Sequence, residues 1–238
     1  MDFGKDNIPS EVYLDFLGET VPIHWDNHAY LMVFIWFVMV PIGVLAIRFG
    51  QPEPTERGIE TRISIFNPRW WWFSIHKYGL YVAVGLSLVA LVIALVVSRG
   101  FSGSLHAYFG ITTVALGCLQ VISSWFRGRH GGMYYYTATE GDPETYKGDH
   151  YNMTTRRRLF EAYHKTAGYL TGFFAFGAVG SGLMQFPLPG LAIAVFVLIV
   201  SLVVTWMVLQ YKGKQHDGYR AVFGYGLEHP YNKAREKL

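Results

Sequence analysis

One cysteine, Cys118, stands among the 238 residues of this chain. That scarcity excludes an internal disulfide, a Cys-x-x-Cys-His attachment for c-type haem and a four-cysteine iron–sulfur centre. Within an apolar stretch, Cys118 reads as a small packing residue. Charge is also scarce: Asp, Glu, Lys and Arg make up 16% of the chain, whereas about 25% is usual in a soluble domain. No polar stretch is long enough for a separate soluble domain. The mostly polar residues 1–28 lack the basic leading region of a cleavable signal, so the N-terminus is expected to be retained. What fills the sequence is apolar, with 51% hydrophobic and 17% aromatic residues.

A helix that crosses the hydrocarbon of a bilayer needs about 20 mostly apolar residues. Five runs qualify, at residues 29–47, 70–97, 105–126, 159–185 and 190–211. The second and fourth exceed the minimum, which allows tilt or extension beyond the membrane surface. The expected organisation is an N-terminal segment (1–27), a five-span membrane domain (28–211) with a long loop (128–158), and a C-terminal tail (212–238). In the N-terminal segment Ser10 is a candidate cap for a short interfacial element carrying Val12, Tyr13, Phe16 and Leu17, with an irregular tail as the alternative.

Loop charge predicts orientation, because Lys and Arg accumulate on the cytoplasmic side. Arg48, Arg57, Arg62 and Arg69 lie between the first two spans. Arg127, Arg129, Lys147, Arg156, Arg157 and Arg158 lie between the third and fourth, and Lys212, Lys214, Arg220, Lys233, Arg235 and Lys237 follow the fifth. Only Lys5 and Arg99 oppose them. The N-terminus is therefore expected outside and the C-terminus inside. The net charge of +3 conceals this asymmetry and is no sign of nucleic-acid binding.

Ionisable side chains are costly within a membrane and mark a cofactor or a proton path. With the orientation above, His28 and His106 each open a span from the outer side. His76 and His164 sit about 7 to 9 Å inside spans that start from the inner side, at 1.5 Å rise per residue. Two histidines at one depth on different helices can supply both axial ligands of a haem iron, and such a pair is expected near each face. His24 with His28 also has the four-residue spacing of a zinc pair, though without a convincing carboxylate or cysteine partner. His24 is in addition an alternative to His28 as outer ligand.

Gly110 follows His106 by four residues and Gly168 follows His164 by four, placing each glycine on its histidine's helix face. Gly172 continues that face, and Gly79 lies three after His76. A missing side chain there leaves room for a flat porphyrin, or for the close helix contact that small residues give in membranes.

The runs His28-Ala29-Tyr30-Leu31-Met32, Trp70-Trp71-Trp72-Phe73-Ser74-Ile75-His76, Leu105-His106-Ala107-Tyr108-Phe109-Gly110 and Tyr163-His164-Lys165-Thr166-Ala167-Gly168 resemble the cytochrome b561 family. The resemblance covers residues 24–212 and is greatest to bacterial members and to the membrane module joined elsewhere to DOMON domains. It implies two non-covalent b haems in a helical bundle that pass electrons across the membrane. The family's alternating scheme pairs His28 with His106 at the outer iron and His76 with His164 at the inner iron. The five spans, without a fused DOMON domain, depart from the six-span animal and plant form.

Lys77 and Arg127 are candidate partners for haem propionates or for an anionic redox partner, against a background of ordinary snorkelling. Arg48, Arg129 and Lys165 have similar positions, and Arg99, Trp25, Ser102 and Ser104 stand near the outer pair. His130 and His150 in the long loop are expected at the surface, with metal binding or proton carriage as alternatives. Met133 to Tyr136 is a candidate docking patch, and Tyr219, Phe223, Tyr225 and Tyr231 suggest a tail that packs on the surface. Either element could cover the inner site.

The fifth span carries no histidine and is expected to pack outside the other four. The expected fold is thus an all-α membrane protein, a four-helix haem-binding bundle plus a fifth transmembrane helix. The expected function is electron transfer through two haem b groups between a donor and an acceptor on opposite sides of a bacterial inner membrane. Candidate partners, besides membrane lipid, are a quinone, a periplasmic or cytoplasmic redox protein, or a larger membrane complex. An oxidoreductase activity is compatible with this. The alternatives are a cytochrome anchor subunit of a respiratory or photosynthetic complex and a haem-free structural or transport subunit.

Overall fold

The computed structural model describes residues 9–139, 142–226, 229 and 232–233. Lys5, Tyr231, Arg235 and Lys237, weighed above, lie outside them. Five helices are long and apolar enough to cross a membrane: α1 (Trp25–Phe49), α2 (Pro68–Val97), α3 (Leu105–Trp125), α4 (Thr155–Gln185) and α5 (Pro189–Tyr211). All five coincide with the apolar runs to within a few residues.

Local chemistry sets the ends. Ser104 Oγ accepts the N–H of Ala107 at 3.1 Å and so caps α3, while Thr154 Oγ1 accepts from Arg157 N–H at 3.4 Å to cap α4. Pro189 starts α5, where its missing N–H costs nothing. Two helices contain a wide π turn, Ile35–Met39 in α1 and Ile75–Gly79 in α2. The first lies just ahead of Pro41, whose ring collides with the carbonyl four residues earlier in a regular helix. The second contains His76, and such bulges often occur at functional sites.

Helix α1 packs on α2, α2 on α3, and α3 along the length of α4, which returns to α1. This closes a four-helix bundle. Its core joins Val33, Ile35, Trp36 and Phe37 of α1 to Ala83 of α2 and Ala175 of α4. Helix α5 adds Leu191 and Val195 to that core through α1, and Trp206 meets Phe49 edge-on with ring centroids 5.1 Å apart. It lies outside the four, as expected of the span that carries no histidine. Its outward side chains, such as Ile193 and Phe196, are about two-thirds exposed at 65% and 67%, which suits lipid contact.

The N-terminal segment departs from both expectations. Strands β1 (Glu11–Leu14) and β2 (Glu19–Pro22) form an antiparallel hairpin in which Val12 faces Val21. Gly18, with φ +69°, supplies the left-handed turn, and the Leu17 N–H donates to Leu14 O at 3.0 Å. Ser10 does not cap a helix; its carbonyl instead accepts the Ile23 N–H at 2.8 Å. Trp25 Nε1–H then donates to Pro9 O at 2.8 Å, tying the hairpin to the start of α1.

At the opposite end, the loop between α3 and α4 and the tail helix α6 (Gly218–Phe223) build a cap. Tyr151, Tyr219, Val222 and Phe223 bury themselves with Ile59, Trp70 and Trp72. Tyr219 Oη donates to Tyr151 O at 2.6 Å. The tail backbone pairs with the loop after α1: Ile59 N–H donates to Val222 O at 3.0 Å and Tyr225 N–H to Thr55 O at 3.1 Å.

Candidate cofactor site

Four helices bring the four histidines together in two pairs. His28 of α1 and His106 of α3 have ring centroids 6.2 Å apart, with planes crossed at 87°. His76 of α2 and His164 of α4 have centroids 6.1 Å apart, crossed at 79°. An imidazole nitrogen binds a transition metal at about 2 Å, and its ring centroid lies about 1 Å further on, so two trans ligands of one ion hold their centroids about 6 Å apart. Both pairs have that separation.

One member of each pair is fixed by a carbonyl from a neighbouring helix. His106 Nδ1 lies 2.8 Å from Ala178 O of α4, and His76 Nδ1 lies 3.1 Å from Gly43 O of α1. A carbonyl can only accept, so both Nδ1 atoms carry the proton and both Nε2 lone pairs are left for a metal. His164 is held differently: Phe160 stacks on its ring at 5.2 Å, and its Nδ1 is buried without a hydrogen-bond partner. The ring of His28 meets Trp25 edge-on at 6.1 Å.

The glycines fall into two classes. A Cβ at Gly79, Gly110 or Gly172 would meet nothing within 4 Å, and one at Gly168 only Gln120 Nε2 at 3.8 Å. These positions, each three to eight residues after a histidine on its own helix, face open space and not a packed helix. Close approach occurs elsewhere: a Cβ at Gly117 would sit 3.3 Å from Val84, and at Gly177 2.8 Å from the Phe109 ring. At Gly182 it would sit 2.9 Å from His106 Nδ1. Gly43, Ala178 and Gly182 were not singled out in the sequence. Their only signal is a small residue on a face opposite a histidine-bearing helix.

Arg127 lies over the Phe73 ring at 5.4 Å, and its charge reaches His164 together with those of Arg157 and Lys165. Lys77 lies over its neighbour Tyr78 at 4.8 Å. Arg157 is bound to Glu161, Nε to Oε1, at 2.9 Å, and Lys165 reaches Glu161 Oε2 at 3.3 Å. Arg157 is thus a cation of this end that the sequence alone did not favour over its neighbours.

His130 and His150 are not the surface histidines expected. Their rings lie 5.1 Å apart inside the cap, with Phe223 within 4.9 Å of both and Trp70 5.9 Å from His130. Burial and the charges of Arg157 and Arg127 push His130 down to about 3, and the same causes hold His150 well below the usual imidazole range. The sequence hid this because the partners come from the tail.

No group of three or more His, Cys, Asp and Glu side chains converges on a metal position among the described residues. His24 and His28 are joined by no third side chain of these types among the described residues. A crossed pair of histidines with open space beside it suits a metal whose other ligands come from a macrocycle, and the donor set fits b-type haem.

Two curated proteins are similar to part of the chain. A Xenopus laevis protein provisionally named ferric-chelate reductase 1 is 31% identical over 116 residues, covering 48% of this chain and 18% of that protein. Ferric-chelate reductase 1 of Mus musculus is 30% identical over 102 residues, covering 42% of this chain and 16% of the mouse protein. The chain thus spans less than a fifth of the length of these relatives. No family model matches it, and no solved structure does.

Proposed function

We propose that this chain carries electrons across a membrane through two non-covalent b haems, one held by His28 and His106 and the other by His76 and His164. The observation that carries this reading is the pair of crossed histidine couples, at 6.2 and 6.1 Å, on four helices of one bundle. The separation of Ala178, which holds His106, from His164 along α4 puts the two levels about 21 Å apart at 1.5 Å per residue. Both levels then fit within a hydrocarbon core about 30 Å thick.

Bound haem supplies a one-electron ferric/ferrous couple at each level. The protein supplies ligation, orientation and exclusion of water. Gly110 and Gly168 leave the faces open, Ala178 O and Gly43 O hold the ligand tautomers, and the cap shields the His76–His164 end. Arg127 and Lys77, with Arg157, are the cations for propionate or partner contact at that end. The charge asymmetry of the loops supports placing the hairpin outside and the cap on the cytoplasmic face of a bacterial inner membrane. Resemblance to parts of two ferric-chelate reductases supports oxidoreductase chemistry, with a quinone or a redox protein as the exchange partner.

Purification tests the reading. The full chain should carry two b-type haems by the pyridine haemochrome assay and be reducible by dithionite. Replacing His106 or His164 with Ala should remove one haem each. A colourless folded protein would reject the proposal, and full haem content in both variants would reject the ligand assignment.

A further inference from the structure

Each histidine pair is braced by a helix that belongs to the other pair. His106, of the hairpin-end pair, donates Nδ1–H to Ala178 O of α4, the helix that carries His164. His76, of the cap-end pair, donates to Gly43 O of α1, the helix that carries His28. The two braces are not equally adaptable. At Gly43 an added Cβ would meet Leu80 Cδ2 at 3.0 Å, the far end of a flexible side chain that can turn aside. At Gly182 it would meet His106 Nδ1 at 2.9 Å and Cε1 at 3.0 Å, the edge of a rigid ring that is itself hydrogen-bonded. The ring can yield only by leaving α4, and with it the Ala178 carbonyl.

We infer that Gly182 is a positioning residue for the hairpin-end haem: its bare Cα admits His106 to the Ala178 carbonyl, and that hydrogen bond sets the ligand's basicity and the redox potential of the iron it binds. This rests on the haem reading proposed above. A carbonyl that accepts from Nδ1–H pushes electron density onto Nε2, which favours the ferric over the ferrous ion and lowers the potential. A displaced ring loses that push and also changes the angle at which its plane crosses His28.

Two single variants of the full chain, purified with haem, separate this from a general helix effect. Gly180 lies two residues away on α4, and a Cβ there meets nothing within 4 Å. Gly180→Ala should therefore leave both haems as in the wild type. Gly182→Ala should retain both haems by pyridine haemochrome, raise the midpoint potential of one and shift that haem's low-field electron paramagnetic resonance signal, while the other stays unchanged. Wild-type potentials and spectra in Gly182→Ala would overturn the inference and leave the haem reading intact. A colourless wild-type protein would overturn the haem reading itself.

Should Gly182→Ala not accumulate, the wild type supplies the second measurement. After transfer to deuterated buffer, electron–nuclear double resonance should find one slowly exchanging Nδ1 proton at each ferric haem, where a buried carbonyl holds it. Rapid exchange of every ligand N–H at the hairpin-end haem would overturn the inference.

Discussion

His130 and His150 share a hydrogen bond between their Nδ1 atoms at 3.2 Å. One ring must donate and the other accept, so at least one lone pair is required and the pair cannot be fully protonated and remain bonded. Arg157 and Arg127 act on both rings, Lys165 acts on His150, and Glu161 Oε1 faces His150 Nε2 at 3.9 Å. In the docked cap both imidazoles are therefore neutral, with His130 lowered to about 3. Released from the cap, each returns toward its ordinary value of about 6.5.

The released state thus binds more protons below pH 6.5, and docking weakens as pH falls. Above that pH the contribution is fully present. Between pH 6.5 and 5 the loss amounts to at most about 2 kcal/mol per imidazole. Hydrogen exchange at the Ile59 and Phe223 amides should accelerate from pH 7.5 to 5 after correction for the intrinsic rate. His130→Asn should flatten that dependence. Corrected protection that does not change with pH would refute the coupling.

The histidine pairs were legible because hydrocarbon makes them conspicuous: an ionisable side chain in an apolar run needs a reason, and loop charge sorted the four by depth. The spans were legible for the same physical cause. What supports His106 and His76 was not, since a backbone carbonyl has no side-chain signature and Ala178 and Gly43 look like ordinary membrane packing. The buried state of His130 was hidden by distance along the chain, because its ring partner Phe223 lies in the tail. The hairpin was missed because its four-residue strands are too short to display a period, leaving Gly18 as their one strong turn signal.

The open faces at Gly110 and Gly168 give a test in which two effects have opposite signs. Glycine in a helix interior costs about 1 kcal/mol relative to good helix formers, so Gly110→Leu and Gly168→Leu favour the isolated helices. Beyond its own helix, no heavy atom lies within 4 Å of a Cβ at Gly110, so the neighbouring helices do not resist the first atom of the new side chain. Each leucine instead fills the space beside one histidine pair. Haem content should fall by one per variant while helicity by circular dichroism stays at the wild-type level. Full haem content in both would move the porphyrin seats elsewhere.

Gly224 tests what the cap does for the inner pair. Its φ of +86° and ψ of 174° belong to a region essentially reserved for glycine, and an added Cβ would strike the Glu56 carbonyl. Backbone strain alone costs of order 1 to 3 kcal/mol, and the collision adds to it. The bonds at risk are Tyr225 N–H to Thr55 O and Gly226 N–H to Glu56 O, both 3.1 Å, and Asn232 Nδ2–H to Gly224 O at 2.8 Å. Gly224→Ala should make the tail after α5 readily cleaved by protease without loss of helicity in α1 to α5. Losing α6 removes Tyr219 and Phe223 from the cluster around Trp70 and Trp72, which leads into α2 and His76. Water then reaches that end and favours the more highly charged ferric state, so the potential of the His76–His164 haem should fall while that of the His28–His106 haem holds. Equal shifts in both potentials would mean that the cap shields neither pair in particular.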